Sequence, residues 1–126
     1  MSDTEPDCDI FELGDVALQS GAVLPAAKLA YKTLGKLNAA GDNAILLFHA
    51  LTGSQHAAGS NPRVERVGDL WNEECHEGWW ERFMGPGKPL DTEHYFVLCA
   101  NYLGGCYGSS GPTSVCARSH KAATRA

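Results

Sequence analysis

The chain has 126 residues, with 10 Lys and Arg against 15 Asp and Glu, a formal net charge of −5, and 44% hydrophobic residues. That profile fits one soluble globular domain and excludes nonspecific nucleic-acid binding, since no basic stripe with interleaved aromatics is present. The longest apolar run, Ala44-Ile45-Leu46-Leu47-Phe48, falls far short of the roughly 18 residues that a membrane-spanning helix requires.

In chain order, residues 1–10 form an acidic tail expected to be disordered. Residues 1–15 hold six acids (Asp3, Glu5, Asp7, Asp9, Glu12, Asp15) and no Lys or Arg, the pattern of a solvated start. The first residues lack the basic start and apolar middle of a signal peptide, so the cytoplasm is the expected location. Residues 11–18 alternate loosely, with Phe11, Leu13, Val16 and Leu18 apolar. Residues 28–34 set Leu29, Tyr31 and Thr33 against Ala30, Lys32 and Leu34. Gln19-Ser20-Gly21 between them is a turn signal, so a β-hairpin is predicted. A polar linker over 35–43 ends in the turn signal Gly41-Asp42-Asn43.

Residues 44–48 are apolar throughout, as expected of a strand buried on both faces of a parallel sheet. Residues 95–100 have the same character, and the long connection between the two strands predicts a crossover and hence an α/β fold. Within that connection Leu70, Trp71, Trp79, Trp80 and Phe83 predict a helix over 68–83 with an aromatic face. It is stopped by Gly85-Pro86-Gly87. Ligands of open α/β sheets bind beyond the carboxyl ends of the strands, and two polar, Gly-rich loops, 49–59 and 101–112, fall there.

Five cysteines (Cys8, Cys75, Cys99, Cys106, Cys116) are an odd, widely spaced set without Cys-x-x-Cys, so free thiols are expected rather than disulfides. Cys75-His76 alone does not supply a zinc site, and neither a metal nor a bound cofactor is expected. Gly104-Gly105-Cys106-Tyr107-Gly108 imitates a cysteine nucleophile turn. Gly108, Gly111 and Pro112 forbid the helix that such a turn needs, so Cys106 is not read as a nucleophile. His49 and His56 read as structural hydrogen-bonders, and Trp79 and Trp80 as core aromatics ahead of channel-lining ones. His94 precedes a strand.

His49-Ala50-Leu51-Thr52-Gly53, directly after a buried strand, has the small residues that let a backbone N–H approach a substrate carbonyl. From these five residues alone, an ordinary strand-to-loop turn is the better reading. A series of blocks in order adds to this: Lys36-Leu37-Asn38-Ala39-Ala40, then Asp42 to Leu47, His49 to Gly59, Gly78-Trp79-Trp80, Gly85-Pro86-Gly87-Lys88, Leu90-Asp91-Thr92, Tyr95-Phe96-Val97, Asn101 to Cys106, and Gly108-Ser109-Ser110-Gly111-Pro112-Thr113-Ser114. This series resembles the amino-terminal part of the homoserine O-acetyltransferases, α/β-hydrolase-fold enzymes of methionine biosynthesis. The resemblance covers residues 11–115.

The resemblance implies an incomplete α/β-hydrolase fold, holding only the N-terminal strands and first crossover. It implies a ping-pong transfer of acetyl from acetyl-CoA, a co-substrate, to homoserine through a serine, with a His base oriented by an Asp. Carried over residue by residue, only the backbone N–H of Leu51, one arm of the oxyanion hole, lands in this chain. No Ser here has Gly at both −2 and +2, so the nucleophile elbow is absent, and with it the Asp and His that follow in chain order. The chain alone is therefore expected to be inactive and poorly folded, with the strand at 95–100 left unpaired on the side meant for the nucleophile strand. A homodimer is a further expectation at full length. Homoserine O-succinyltransferase and serine O-acetyltransferase of the same fold remain alternatives, as does a non-catalytic interaction fragment pairing an open sheet edge. Residues 116–126, with Arg118, His120, Lys121 and Arg125, leave the family pattern and read as a basic tail of the kind a frameshift produces.

Overall fold

The structure is a computed structural model and describes residues 8–60, 77–105, 107–112 and 114. Among them are six strands: β1 Asp9–Ala17, β2 Val23–Leu34, β3 Ala44–Leu47, β4 Met84–Gly85, β5 Leu90–Asp91 and β6 Phe96–Ala100. Four build the main sheet in the order β1-β2-β6-β3, and β4 and β5 form a small parallel pair beside it.

The expected hairpin is present, with β1 antiparallel to β2 from Asp9↔Tyr31 to Ala17↔Val23. β1 begins at Asp9 and β2 at Val23, earlier than the alternation at Phe11 and Lys28 suggests. The early half of β2 contains Pro25, which has no N–H to give a ladder, and Ala26, whose φ of 47° lies in the left-handed region. That unusual backbone is held by the Asp15 carboxylate, which accepts the Ala26 N–H at 2.9 Å. The register shifts on either side of Gly14 mark the same irregularity on β1.

β2 also pairs antiparallel with β6, and β6 pairs parallel with β3 in the register Ala44↔Phe96 to Leu47↔Cys99. The parallel pair across a long connection is the expected α/β signature. Its place in the sheet corrects one expectation. The strand at 95–100 has a neighbour on both sides, and the open edge belongs to β3.

Burial corrects another. On β3, Ile45 and Leu47 turn inward while Ala44 and Leu46 stay exposed, so the run is covered on one face only among the described residues. The covered face joins Val97 and Cys99 of β6 to Ala57, Ala58 and Met84, with Leu34, Ile45, Leu47 and Leu90 packed around them.

Of the helix expected over 68–83, residues 68–76 lie outside the described residues. The rest is not helical. The N–H groups of Gly78, Trp79 and Trp80 donate to the carbonyls of Gly59, His56 and Ala57, and the residues after them close tight four-residue turns, Glu81 N–H on Gly78 O and Phe83 N–H on Trp80 O. A side chain on Gly78 would run into the backbone of Ala57 and Ala58, so glycine is what lets these segments lie against each other. Trp79 and Trp80 are half-exposed rather than core, and their rings pack on each other and on the exposed Phe83.

Met84 is the largest fully buried side chain of this small core. Met84→Ala should cost about 2–5 kcal/mol, the usual range for emptying such a site. The expected result is a lower urea midpoint with the denaturant slope retained.

Candidate functional site

Because β3 and β6 run parallel, their carboxyl ends lie side by side, and the loops that follow, 48–60 and 101–112, meet there. The first turn is closed by Gly53 N–H donating to Ala50 O at 2.8 Å, which puts Leu51 and Thr52 at its tip. The Leu51 side chain is 95% exposed, and its backbone N–H meets no acceptor among the described residues.

The base of the turn is held firmly. His49 is buried, and its Nδ1 lies 2.7 Å from Ala50 O. A carbonyl only accepts, so Nδ1 carries the proton. The Tyr102 ring stacks on the imidazole with centroids 4.0 Å apart, and the Tyr102 hydroxyl donates to His49 O at 2.6 Å. One tyrosine of the second loop thus grips both the side chain and the backbone of the residue that opens the first.

Further bonds join the same parts. Gln55 Nε2 donates to Tyr107 O at 2.7 Å, Trp79 Nε1 to Ser54 O at 2.9 Å, and the Cys99 thiol lies 3.8 Å from the same carbonyl. Burial pushes the Cys99 thiol up to about 11, so it stays protonated near neutral pH and is no nucleophile. The second loop is sewn to β2 by two serines. Ser109 Oγ accepts the Ala30 N–H at 2.9 Å and donates to Asn101 O at 2.8 Å, and Ser110 Oγ accepts the Lys28 N–H at 2.9 Å.

The far end of the first loop is clasped by Glu81. Its carboxylate accepts the Gly59 N–H at 2.5 Å and pairs with Lys88 Nζ at 3.2 Å, and the Lys88 ammonium also donates to Glu81 O. The Gly59 bond, then the Lys88 bond and charge, hold the Glu81 carboxyl below its ordinary 4.5.

Both loops that the sequence singles out therefore come together, with Leu51 at their outer surface. His49 is a structural hydrogen-bonder as expected. Cys106, the Cys75-His76 pair and the tail from 116 lie outside the described residues. Sequence reasoning missed Tyr102, Gln55 and the serine pair, whose partners are main-chain atoms far away along the chain. No group of three or more metal-ligating side chains occurs among the described residues. No helix among them is long and apolar enough to cross a membrane.

The sheet order, the parallel central pair and the paired loops define part of an α/β-hydrolase fold. Esterase E22 superposes with a TM-score of 0.70 at 27% identity, over 90% of this chain and 30% of its own. Homoserine O-acetyltransferase from Bacillus anthracis superposes at 0.59 with 32% identity, over 75% of this chain and 22% of its own. Within that fold, the chain belongs to the homoserine O-acyltransferases and corresponds to their amino-terminal portion. It is 51% identical over 98 residues to homoserine O-acetyltransferase of Moorella thermoacetica, covering 78% of this chain and 24% of that enzyme. It is 48% identical over 104 residues to homoserine O-succinyltransferase of Alkalilimnicola ehrlichii, covering 82% and 25%. The chain thus spans about a quarter of the length of the curated relatives it matches. No family model matches it.

Two outcomes follow from the geometry. Tyr102→Phe removes one hydrogen bond at the base of the turn, worth about 1 kcal/mol. The Gly53 amide should then exchange with solvent roughly fivefold faster, measured by amide hydrogen exchange. For Glu81 the folded value is the lower one, so its contribution to stability is complete above the ordinary 4.5 and is lost as pH falls through the folded value. A urea-midpoint series from pH 6 downward should show this loss, and Glu81→Gln should flatten it while lowering the midpoint at pH 6.

Proposed function

We propose that this chain forms the amino-terminal sheet segment of a cytoplasmic homoserine O-acetyltransferase. That enzyme would move an acetyl group from acetyl-CoA to the hydroxyl of L-homoserine in methionine biosynthesis. The observation that carries the reading is the 51% identity over 98 residues to the Moorella thermoacetica enzyme. The reaction is a double displacement. A serine Oγ adds to the thioester carbonyl while a His takes its proton, and CoA leaves as the thiol with that proton. The homoserine hydroxyl then adds to the acyl-serine, and the ester departs as the serine recovers its hydrogen.

In both steps negative charge collects on the former carbonyl oxygen, and a backbone N–H fixed beforehand stabilises it at no cost of reorganisation. Leu51 would supply that N–H. It is aimed by the turn and by His49 and Tyr102 beneath it, while its own side chain stays outside. The serine, the base and the orienting acid have no counterpart in these 126 residues, since Gly-x-Ser-x-Gly is absent. The chain by itself would therefore turn over neither substrate. Succinyl-CoA as donor is a second reading, supported by the 48% identity to the Alkalilimnicola ehrlichii succinyltransferase.

A chimera tests this, with the matched stretch of the Moorella thermoacetica enzyme replaced by the corresponding stretch of this chain. The expected result is acetyl transfer to homoserine exceeding succinyl transfer, with none from the 126-residue chain alone. A folded chimera that transfers neither group would sink the reading. Leu51→Pro in the chimera removes the N–H at the second position of a turn, where proline is best tolerated. It should lower kcat about 10²–10³-fold, and an unchanged kcat would remove Leu51 from the mechanism.

A further inference from the structure

The carboxyl end of the parallel pair carries no Asp, Glu, Lys or Arg of its own. Such residues make up 20% of the chain, yet none falls in 43–60 or in 95–112, the stretches that build the two strands and both loops. The large side chains open to solvent on those loops are apolar or aromatic. Leu51 is 95% exposed, and Phe48, Tyr102 and Leu103 are exposed to a lesser degree. The cations that do approach the first loop stand at its far end, with Lys32 Nζ beside Gly59 and Lys88 Nζ on the Glu81 carboxylate.

Leu51 divides into two independent parts. Its backbone belongs to the turn closed by Gly53 N–H on Ala50 O, which His49 and Tyr102 hold from beneath. Its isobutyl group stands almost wholly outside, so neither the turn nor its support dictates which side chain is present. A carbonyl oxygen that accepts the Leu51 N–H lies about 2.9 Å from that nitrogen. The Leu51 Cβ is two bonds from the same nitrogen, so the acyl chain borne by that carbonyl comes within reach of the side chain. An acetyl group ends there in one methyl, which gains from apolar contact. A succinyl group continues to a carboxylate about 4 Å beyond the carbonyl carbon, at roughly 1.5 Å for each of three C–C bonds. That carboxylate would lose hydration against an isobutyl group and meet no cation on either loop.

We propose that the Leu51 side chain is a specificity-determining group, which flanks the acyl chain of the thioester and favours a short, uncharged acyl group over one that ends in a carboxylate. This rests on the function proposed above. One residue then has two separate tasks: its main-chain N–H meets the carbonyl oxygen, and its side chain meets the group being transferred.

The test uses the chimera with the Moorella thermoacetica enzyme and reads kcat/KM for acetyl-CoA and for succinyl-CoA at one fixed homoserine concentration. Leu51→Lys brings an ammonium to the acyl chain and should raise the succinyl-to-acetyl ratio at least tenfold, as a charge-assisted contact does. Leu51→Gln, long and polar but uncharged, should leave that ratio nearly as it is. Thr52→Lys sets the same charge at the other exposed position of the tip and should move the ratio in the same direction by a smaller factor. Circular dichroism establishes that each variant keeps the fold of the parent chimera. An active parent whose ratio is unmoved by both lysine variants overturns the proposal. So does a rise with Leu51→Gln as large as with Leu51→Lys, which traces the effect to shape rather than charge. A folded Leu51→Lys chimera that transfers neither group overturns it as well. In each of these cases the parent chimera still acylates homoserine, and the functional reading stands. A folded parent that transfers neither acetyl nor succinyl overturns both.

Discussion

The parallel pairing of β3 with β6 is the constraint on which the rest of the described structure depends. Strands in one sheet lie about 5 Å apart. Two that run in the same direction release their following loops at the same end, within side-chain reach of each other. The Tyr102 hydroxyl on His49 O, Gln55 on Tyr107 O and the Cys99 thiol beside Ser54 O all exploit that adjacency. An antiparallel pair would have sent the two loops to opposite ends of the sheet, and Leu51 would stand over nothing. β2, on the other flank of β6, extends the arrangement, because Ser109 and Ser110 carry its ladder into the second loop after β6 has ended.

Contacts around this pair are made mostly by backbone and small residues rather than by large apolar ones. Ala27, Ala30, Ala57 and Ala58 are all buried, and the larger buried side chains are few. Small side chains let segments approach until main-chain hydrogen bonds form between them, as where Trp80 N–H reaches Ala57 O at 2.7 Å. Phe11, Val23, Leu46, Phe48, Trp80 and Phe83 meanwhile remain on the surface. A sheet of this composition, with one face covered and bulky residues exposed at the edges, has buried only part of the apolar surface that its sequence makes available. The position of the glycines fits the same economy of space. A Cβ on Gly35, which sits at φ 78°, would run into the Tyr95 carbonyl, so the chain leaving β2 passes directly against the start of β6.

How far the sequence discloses this varies with the range of the interaction. The hairpin was legible because alternation and Gln19-Ser20-Gly21 are local signals. The first half of β2 was not, because Pro25 and the left-handed Ala26 disguise a strand whose irregularity is stabilised by Asp15 on the neighbouring strand. β3 and β6 were legible as strands. Their unbroken apolar runs misled about burial, since such a run reports the covering a strand is suited to, and Leu46 has none among the described residues. Strand order was beyond reach altogether. Nothing in residues 95–100 says that β2 occupies the side left open in the expectation, so the free edge was assigned to the wrong strand. Leu51 was singled out by an ordered series of family blocks rather than by its own chemistry. Tyr102, which orients its turn, gives no local signal, because what it grips is a carbonyl half the chain away.

That difference bears on how the proposed site would work. An oxyanion donor is useful only if it is aimed before charge develops. Here the aim comes entirely from inside the chain: the closed turn at 50–53, the His49 ring on Ala50 O, and Tyr102 under both. The buried His49 ring and the Tyr102 hydroxyl hold the turn at 50–53 from beneath, and the Leu51 side chain takes no part in that support because it stands exposed. A proposed donor held in this way would keep its direction whatever side chain stood at position 51, so the site would depend on the two residues under the turn more than on the residue that carries the N–H.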